Sequence, residues 1–105
     1  MNNLSSSQRS YLRSLAHQLE PVVFIGKNGL NGGTIETVNK ALGTQELIKI
    51  KFREYKDKKK SISHQIAKST ASDVVGMIGH TVILFRQNPD LDKRNIRFSG
   101  IKEQN

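Results

Sequence analysis

The chain has 105 residues, the size of one small domain. Its 17 lysines and arginines against 9 aspartates and glutamates give a net charge of +8, which predicts a polyanionic partner, nucleic acid before an anionic membrane surface. The absence of cysteine excludes disulfide scaffolds, thiolate zinc sites and thiol nucleophiles. No apolar run approaches the roughly 20 residues of a membrane span, and the first ten residues lack a secretory signal, so we expect a cytoplasmic protein without membrane contact.

The first predicted elements are a helix and a strand. Three serines at positions 5–7 precede the helix, and any of them can cap it. Apolar residues recur at helical spacing through Leu19, and Pro21 ends the helix because the residue before a proline avoids the α conformation. The β-branched and aromatic run Val22–Ile25 predicts a strand, which the glycines that follow break.

A second helix and a second strand come next. Asn31 is the predicted cap of the helix and Gly43 its predicted end. Leu47–Arg53 alternates between apolar and basic side chains, which is typical of a strand with one buried face and one wet, basic face. Glu54–Lys60 has no core pattern and is predicted to be a charged loop.

The last part of the sequence predicts a helix and a hairpin. Ser61 is a candidate cap for the third helix. Val74–Ile78 and Thr81–Phe85 are two apolar runs separated by Gly79-His80, a two-residue loop that fits a type II′ turn. The residues after Pro89 are mostly polar, so we expect a single domain over 1–88 and a polar, basic tail over 89–105, docked at most in part as an extra strand.

The predicted order is therefore α-β-α-β-α-β-β, an α/β fold with a mixed four-stranded sheet and three helices. Each strand-helix-strand unit is expected to be right-handed and parallel, and the final hairpin antiparallel. The first, third and fourth strands are apolar on both faces, which predicts that helices or loops cover both sides of them. We expect the domain to be a monomer.

The sequence Gly26-Lys27-Asn28-Gly29 is the candidate phosphate-binding loop. Glycines let the backbone approach a ligand closely, and exposed amides there bind phosphate oxygens. Lys27 adds a mobile positive charge, and Asn28 can reach sugar or base edges. A tight β-to-α turn without a ligand is the alternative. The loop is not a Walker A motif, because Gly29 is followed by Leu30.

Positive charge is concentrated in residues 47–60, where seven basic residues against two acidic ones give a net charge of +5. Either this is a solvated strand face and loop, or it extends a nucleic-acid surface. Tyr55, within it, is a candidate for base stacking or an anchor for the loop. Beyond the glycine loop, the candidate contact residues are basic ones from the first helix, the second strand and the loop after it: Arg9, Arg13, Lys49, Lys51, Arg53, Lys56 and Lys58.

Nothing in the sequence predicts catalysis, a metal site or a cofactor. The three histidines, His17, His64 and His80, do not have the i, i+3 or i, i+4 spacing of a helical metal site. No Gly-x-Ser-x-Gly nucleophile motif is present, and the acidic residues are scattered. We therefore expect a binding protein and not an enzyme.

Three blocks of the sequence together resemble one family. They are RSYLRSLAHQLEPVVFIGKNGL at 9–30, ELIKIKF at 46–52 and VVGMIGHTVILFR at 74–86. They are similar to the CRM domain (chloroplast RNA splicing and ribosome maturation) in its stand-alone bacterial YhbY-like form. The resemblance spans about residues 8–86, whereas the lysine-rich loop and the segment after Arg86 depart from the family pattern.

The resemblance implies an α/β fold related to the C-terminal domain of translation initiation factor three. It also implies RNA binding, with ribosomal RNA of the large-subunit precursor as the partner, and no catalysis. The RNA-clamping loop would be Gly26–Gly29, and Arg9, Arg13, Lys49 and Lys51 match basic positions of the family. Two alternatives remain: a general nucleic-acid-binding or RNA-chaperone module, and a phosphate-handling enzyme that uses the same loop.

Overall fold

The computed structural model describes residues 4–98 of the chain. Three helices and four strands follow in the predicted order, which is confirmed. The elements are α1 (Ser6–Ala16), β1 (Val23–Ile25), α2 (Gly32–Gln45), β2 (Leu47–Phe52), α3 (Lys59–Thr70), β3 (Asp73–Ile78) and β4 (Thr81–Phe85), with short 3-10 turns at Lys56–Lys58 and Leu91–Lys93.

The four strands form one mixed sheet with the order β1-β2-β4-β3. β1 runs parallel to β2, with Val23 opposite Ile50, and β4 runs antiparallel to both of its neighbours. The last strand therefore lies between β2 and β3, which leaves β1 and β3 as the two edges. The predicted α/β class is confirmed. The hairpin turn has a positive φ of 59° at Gly79, as a type II′ turn requires at its first loop position.

The helix ends differ from the predicted ones for local reasons. α1 begins after Ser5, which caps it in a reciprocal capping box with Gln8. It ends at Ala16, before Pro21, because the next three amides tighten into i→i−3 hydrogen bonds that end with Leu19 N–H donating to Ala16 O. α2 continues two residues past the predicted stop at Gly43, and it ends where Glu46 takes a positive φ of 64°.

The predicted charged loop is partly helical, and Ser61 is not the cap of α3. Tyr55 adopts a left-handed conformation with φ 57°, and the chain then enters the 3-10 turn at Lys56–Lys58 and runs directly into α3 at Lys59. Lys58 occupies the cap position without a side-chain hydrogen bond. The helix therefore begins among lysines, which bring no capping signal that a sequence pattern can detect.

The core lies on both faces of the sheet, in two clusters. On one face α2 and α3 pack against alternate residues of the central strands, among them Ile50 and Leu84. On the other face α1 packs through Leu12 and Ala16. Cover on both sides was expected for β1 and β3, and that expectation is wrong for one residue of each strand, since Phe24 is 43% and Ile78 57% exposed.

The segment after β4 is docked on the domain as far as Phe98. The buried carboxylate of Glu46 accepts hydrogen bonds from the main-chain N–H groups of Asn88, Asn95 and Ile96 at 2.6–2.9 Å. The Phe98 ring packs edge-on against Phe85, at 5.8 Å between centroids. Residues 89–98 form no strand, in contrast to the extra strand considered for the tail, and 99–105 lie outside the described residues.

Candidate nucleic-acid interface

The glycine loop, the lysine-rich segment and the hairpin turn meet at one end of the sheet, which we call the loop end. The link between them is the carboxyl end of β2. The N–H groups of Arg53 and Glu54 both donate to Ile25 O, the last residue of β1, at 2.9 and 3.1 Å. The N–H of Phe52 donates to His80 O at 2.7 Å. Because β1 and β2 are parallel, their carboxyl ends lie at the same end of the sheet. The glycine loop, the lysine-rich segment and the hairpin turn, which are distant in sequence, therefore become neighbours there.

The glycine loop is a β-turn over residues 26–29. Gly29 N–H donates to Gly26 O at 2.9 Å, which leaves Lys27 and Asn28 at the two central positions, both exposed. Gly29 has φ +63°, where a side chain is strained. At Gly26, by contrast, a Cβ would meet nothing within 4 Å, so the fold alone does not require glycine there. Open space beside a glycine is what close approach of a ligand to the backbone needs.

The entry to α2 holds the far side of this loop. Asn31, the predicted cap, accepts a hydrogen bond from Thr34 N–H on its side chain, at 3.0 Å. The Thr34 hydroxyl in turn donates to Gly29 O at 3.2 Å. The loop is thus fixed to the N-terminus of a helix, and the first-turn amides of a helix attract anions.

Tyr55 holds the loop from the other side. Its hydroxyl donates to Lys27 O at 2.8 Å, and a Cβ at Gly29 would lie 3.2 Å from its ring. Of the two interpretations of Tyr55, the structure therefore supports the loop anchor. The side chain remains 40% exposed, but its hydroxyl is committed to the loop backbone.

The lysine-rich segment and the hairpin turn form a cationic surface beside the glycine loop. Lys56 and Lys58 are exposed on the 3-10 turn, and Lys59 Nζ donates to Gly79 O at 2.6 Å. The pKa of His80, on the turn, is lowered by local desolvation and by Lys59, Lys56 and Lys51. The three lysines add to the effect of desolvation, because positive charges near an imidazole disfavour its protonated form.

The two lysines of β2 have different surroundings. Lys49 is half-buried, and its Nζ donates to Leu19 O at 3.0 Å, so it ties the segment after α1 to the sheet. Lys51 is exposed and lies next to Phe24 of β1 and Thr81 of β4 in the strand register. Lys51 thus belongs to the loop end, whereas Lys49 has a main-chain partner.

Arg9 and Arg13 lie at the opposite edge of the sheet from the glycine loop. Their guanidinium groups donate to the carbonyls of Val74 and Val75 in β3, at 2.8 and 3.4 Å. Three interstrand spacings, about 14 Å, separate β3 from β1. Sequence spacing could not place these arginines, and the structure does not bring them together with the loop end.

Phe24 is a surface residue on a strand that the sequence predicted to be covered on both faces. The guanidinium carbon of Arg53 lies 4.0 Å from the centroid of its ring, within cation–π distance. Phe24 stands between two buried residues, Val23 and Ile25, so strand alternation alone puts it on the opposite face. Strand alternation therefore indicated the face of Phe24, but only the structure shows that α1 covers other parts of that face and leaves Phe24 exposed.

Within residues 4–98, no three histidine, aspartate or glutamate side chains come together as a metal ion would need. None of the helices in that range is long and apolar enough to cross a bilayer.

Comparison with known proteins decides the family. The family model of the CRS1/YhbY (CRM) domain matches residues 4–86. The chain belongs to the CRS1/YhbY (CRM) domain family. The match begins at the first described residue and ends one residue after β4, so the CRM domain includes every element of the loop end. The match does not include the segment after β4 whose main-chain N–H groups donate to the Glu46 carboxylate.

Curated relatives and a solved structure agree with this assignment. The chain is 37% identical over 91 residues to the "RNA-binding protein" of Haemophilus influenzae, which covers 86% of this chain and 92% of that one. It is 32% identical over 88 residues to the "Probable RNA-binding protein YqeI" of Bacillus subtilis, with 83% and 92% covered. The solution structure of a Staphylococcus aureus protein superposes with a TM-score of 0.74 at 31% identity, covering 90% of this chain and all of that one.

Proposed function

We propose that this CRM domain is an RNA-binding protein that holds the ribose-phosphate backbone at its loop end without chemically changing it. The carrying observation is that the carboxyl end of β2 joins the glycine loop and the hairpin turn into one surface, through Ile25 O and His80 O. The names of the two curated relatives support RNA as the polyanion.

The proposed contacts follow from what each side chain is free to do. Exposed Lys27 and Asn28 stand at the tip of the turn, and the open side of Gly26 lets a phosphate approach the backbone. The surrounding positive charge comes from exposed cations of β2 and the segment after it: Lys51, Arg53, Lys56 and Lys58. We assign structural roles to Arg9, Arg13 and Lys49, because their cationic groups donate to main-chain carbonyls.

Such a surface reads shape and charge more than base sequence, which suits structured RNA. We propose ribosomal RNA of the large-subunit precursor as the partner, bound during ribosome assembly in the cytoplasm by a monomeric protein. The resemblance to stand-alone YhbY-like proteins supports this more specific proposal. Crosslinking in cells, followed by sequencing of the attached RNA, is expected to recover large-subunit precursor sequences. Reads spread evenly over unrelated RNAs would instead indicate a general RNA chaperone.

The test of the binding site is the double substitution Lys27→Ala with Asn28→Ala. Both side chains are exposed and both flanking glycines remain, so the melting temperature should stay close to that of the wild type. Affinity for RNA is expected to fall about tenfold, since a phosphate contact and a polar contact are lost. The control is Lys40→Ala, which removes the same charge from an exposed position of α2. Equal affinity of the double variant and the control would refute the loop as the site.

The dependence on salt gives a second test. If about four to six phosphates are contacted, the logarithm of the affinity should fall against the logarithm of salt concentration with a slope of roughly −3 to −4 on single strands. Lys27→Ala should reduce that slope by about 0.7. A salt-insensitive affinity would contradict a phosphate clamp.

A further inference from the structure

One row of residues on the α1-facing side of the sheet is left open. It contains one residue from each strand, paired across in the order Phe24, Lys51, Thr81 and Ile78. α1 has 11 residues, about 16 Å of helix, and packs on the rows nearer the other end of the sheet. Phe24 and Ile78 therefore stay 43% and 57% exposed.

The chemistry of this open row is that of a stacking surface. Arg53 stacks its planar guanidinium on the Phe24 ring, at 4.0 Å from the centroid. Aromatic rings and guanidinium planes are the two side-chain surfaces on which proteins stack unpaired bases. A nucleobase can extend this pair, since every base presents a flat π face and the Phe24 side chain is still accessible.

The surroundings of the open row are charged to suit a nucleic-acid strand. A groove of about 380 Å³ lies beside it, between the end of α1 and the sheet. Two lysines, Lys49 and Lys51, line the groove against one carboxylate, Glu20, and of the two Lys51 is exposed whereas Lys49 Nζ donates to Leu19 O. A phosphate beside a stacked base therefore meets the ammonium group of Lys51, whereas a purely apolar partner would have to desolvate this group.

We propose that the open row is a stacking platform for one or two bases of single-stranded RNA, continuous with the glycine loop. The platform rests on the proposed function and adds base contacts to the phosphate contacts. Phe24 lies two residues before Gly26, about 7 Å along the strand, so one RNA strand can reach both surfaces. A duplex cannot use the platform, because its bases are already stacked and paired.

The experiment compares two ligands of equal length: a ten-nucleotide single-stranded RNA and the corresponding abasic ribose-phosphate chain. Binding is measured by fluorescence anisotropy at one fixed salt concentration. Phe24→Ala is expected to weaken binding of the base-containing RNA by about five- to a hundredfold, the usual effect of losing a stacked base. It should leave binding of the abasic chain unchanged, and Phe24→Tyr should restore the wild-type affinity.

Matched substitutions separate stacking from general apolar contact. Ile78→Ala removes the other exposed apolar side chain of the same row and is expected to weaken RNA binding less than about threefold. A loss on Phe24→Ala that is equal for both ligands, or equal to that of Ile78→Ala, would overturn the platform. So would a concentration-dependent dimer of the wild type that Phe24→Ala abolishes, since a second copy would then occupy the row.

The failure of this inference is distinguishable from failure of the proposed function. If Phe24→Ala binds both ligands as the wild type does while the Lys27→Ala, Asn28→Ala variant binds weakly, the platform is wrong and the backbone clamp stands. If the wild type binds neither ligand, both proposals are wrong.

Discussion

The Tyr55 ring lies beside Gly29 at the loop end, although the two residues are 26 positions apart in the sequence. A Cβ at Gly29 would lie 3.2 Å from a carbon of the Tyr55 ring, and the Tyr55 hydroxyl donates to the carbonyl of Lys27 at 2.8 Å. The shape of the glycine loop therefore depends on the segment between β2 and α3, and not only on its own glycines. The two glycines of the loop therefore have different roles: Gly29 is required by the fold, whereas Gly26 leaves open space for a ligand.

Gly29→Ala and Gly26→Ala separate folding from binding. Gly29→Ala places a side chain at φ +63° and against Tyr55, so it should lower the free energy of unfolding by about 1–2 kcal/mol. Gly26→Ala has open space and should leave stability within about 0.5 kcal/mol of the wild type, yet weaken RNA binding. Urea denaturation and RNA titration of both variants test this pair. An RNA affinity unchanged by Gly26→Ala would argue against backbone approach at that residue.

Tyr55→Phe tests the anchor. The change removes only the hydroxyl that bonds Lys27 O, at an expected cost of about 0.5–1.5 kcal/mol in the free energy of unfolding. Amide hydrogen exchange across residues 26–29 should become faster, because the loop loses one of its two supports. Tyr11→Phe, on α1, is the control and should leave exchange in the loop as it is. Unchanged loop exchange in Tyr55→Phe would mean that Thr34 alone fixes the turn.

Glu46→Gln tests how the segment after β4 is attached. The buried carboxylate accepts three main-chain N–H groups, and an amide replaces one of its acceptor oxygens by a donor. We expect a loss of about 2–3 kcal/mol in the free energy of unfolding and faster proteolysis within residues 88–98. Glu36→Gln, exposed on α2, is the control and should change stability by less than about 0.5 kcal/mol. Similar denaturation midpoints for both variants would contradict the role given to Glu46.

His80 should report RNA binding through its protonation. Local desolvation, then Lys59, Lys56 and Lys51, hold its pKa below the ordinary value of 6.5 in the free protein. Phosphates at the loop end would favour the imidazolium, so the pKa should rise on binding and the complex should take up protons. Affinity should then increase as the pH falls through the interval between the free and bound pKa values.

An NMR titration of the histidine ring protons, with and without RNA, measures this shift. His64 lies beside Arg9 and Asp73 at the far edge of the sheet and serves as the internal control. A pKa of His80 that is unchanged or lower in the complex would place the hairpin turn outside the interface.

Arg9→Ala, compared with Arg53→Ala, tests the division between the two edges of the sheet. Arg9 bonds Val74 O, so its loss should lower stability by about 1–2 kcal/mol and change RNA affinity less than twofold. Arg53→Ala, by contrast, should have little effect on the free energy of unfolding and should lower RNA affinity by at least about fivefold. An equal loss of affinity in both variants would extend the interface across the sheet to β3.

The parts of the fold that were predictable are those with strong local patterns. The alternation of β2 assigned Ile48, Ile50 and Phe52 to the core face, where they are buried, and Gly79-His80 marked the hairpin. The start of α3 was not predictable, because the left-handed Tyr55 is held there by its contact with the glycine loop. The contact between Tyr55 and the glycine loop therefore determines where α3 begins.

The candidate site was predictable in chemistry but not in arrangement. Sequence reasoning identified the glycine loop and the cations near it, since turn residues and charge are local properties. It did not identify which cations have main-chain partners, because that depends on the strand order β1-β2-β4-β3. Phe24 was missed for the same reason: whether an apolar strand face is covered depends on how far α1 reaches.

The hydrogen bonds of Arg9 and Arg13 have a consequence for self-association. β3 is an edge strand, and unpaired edges invite another chain to add on by main-chain pairing. The two guanidinium groups occupy the carbonyls of Val74 and Val75, at the irregular register between Val74 and Gly76. A second molecule that tried to extend the sheet here would have to displace two guanidinium groups, so we expect these bonds to disfavour main-chain pairing along that side.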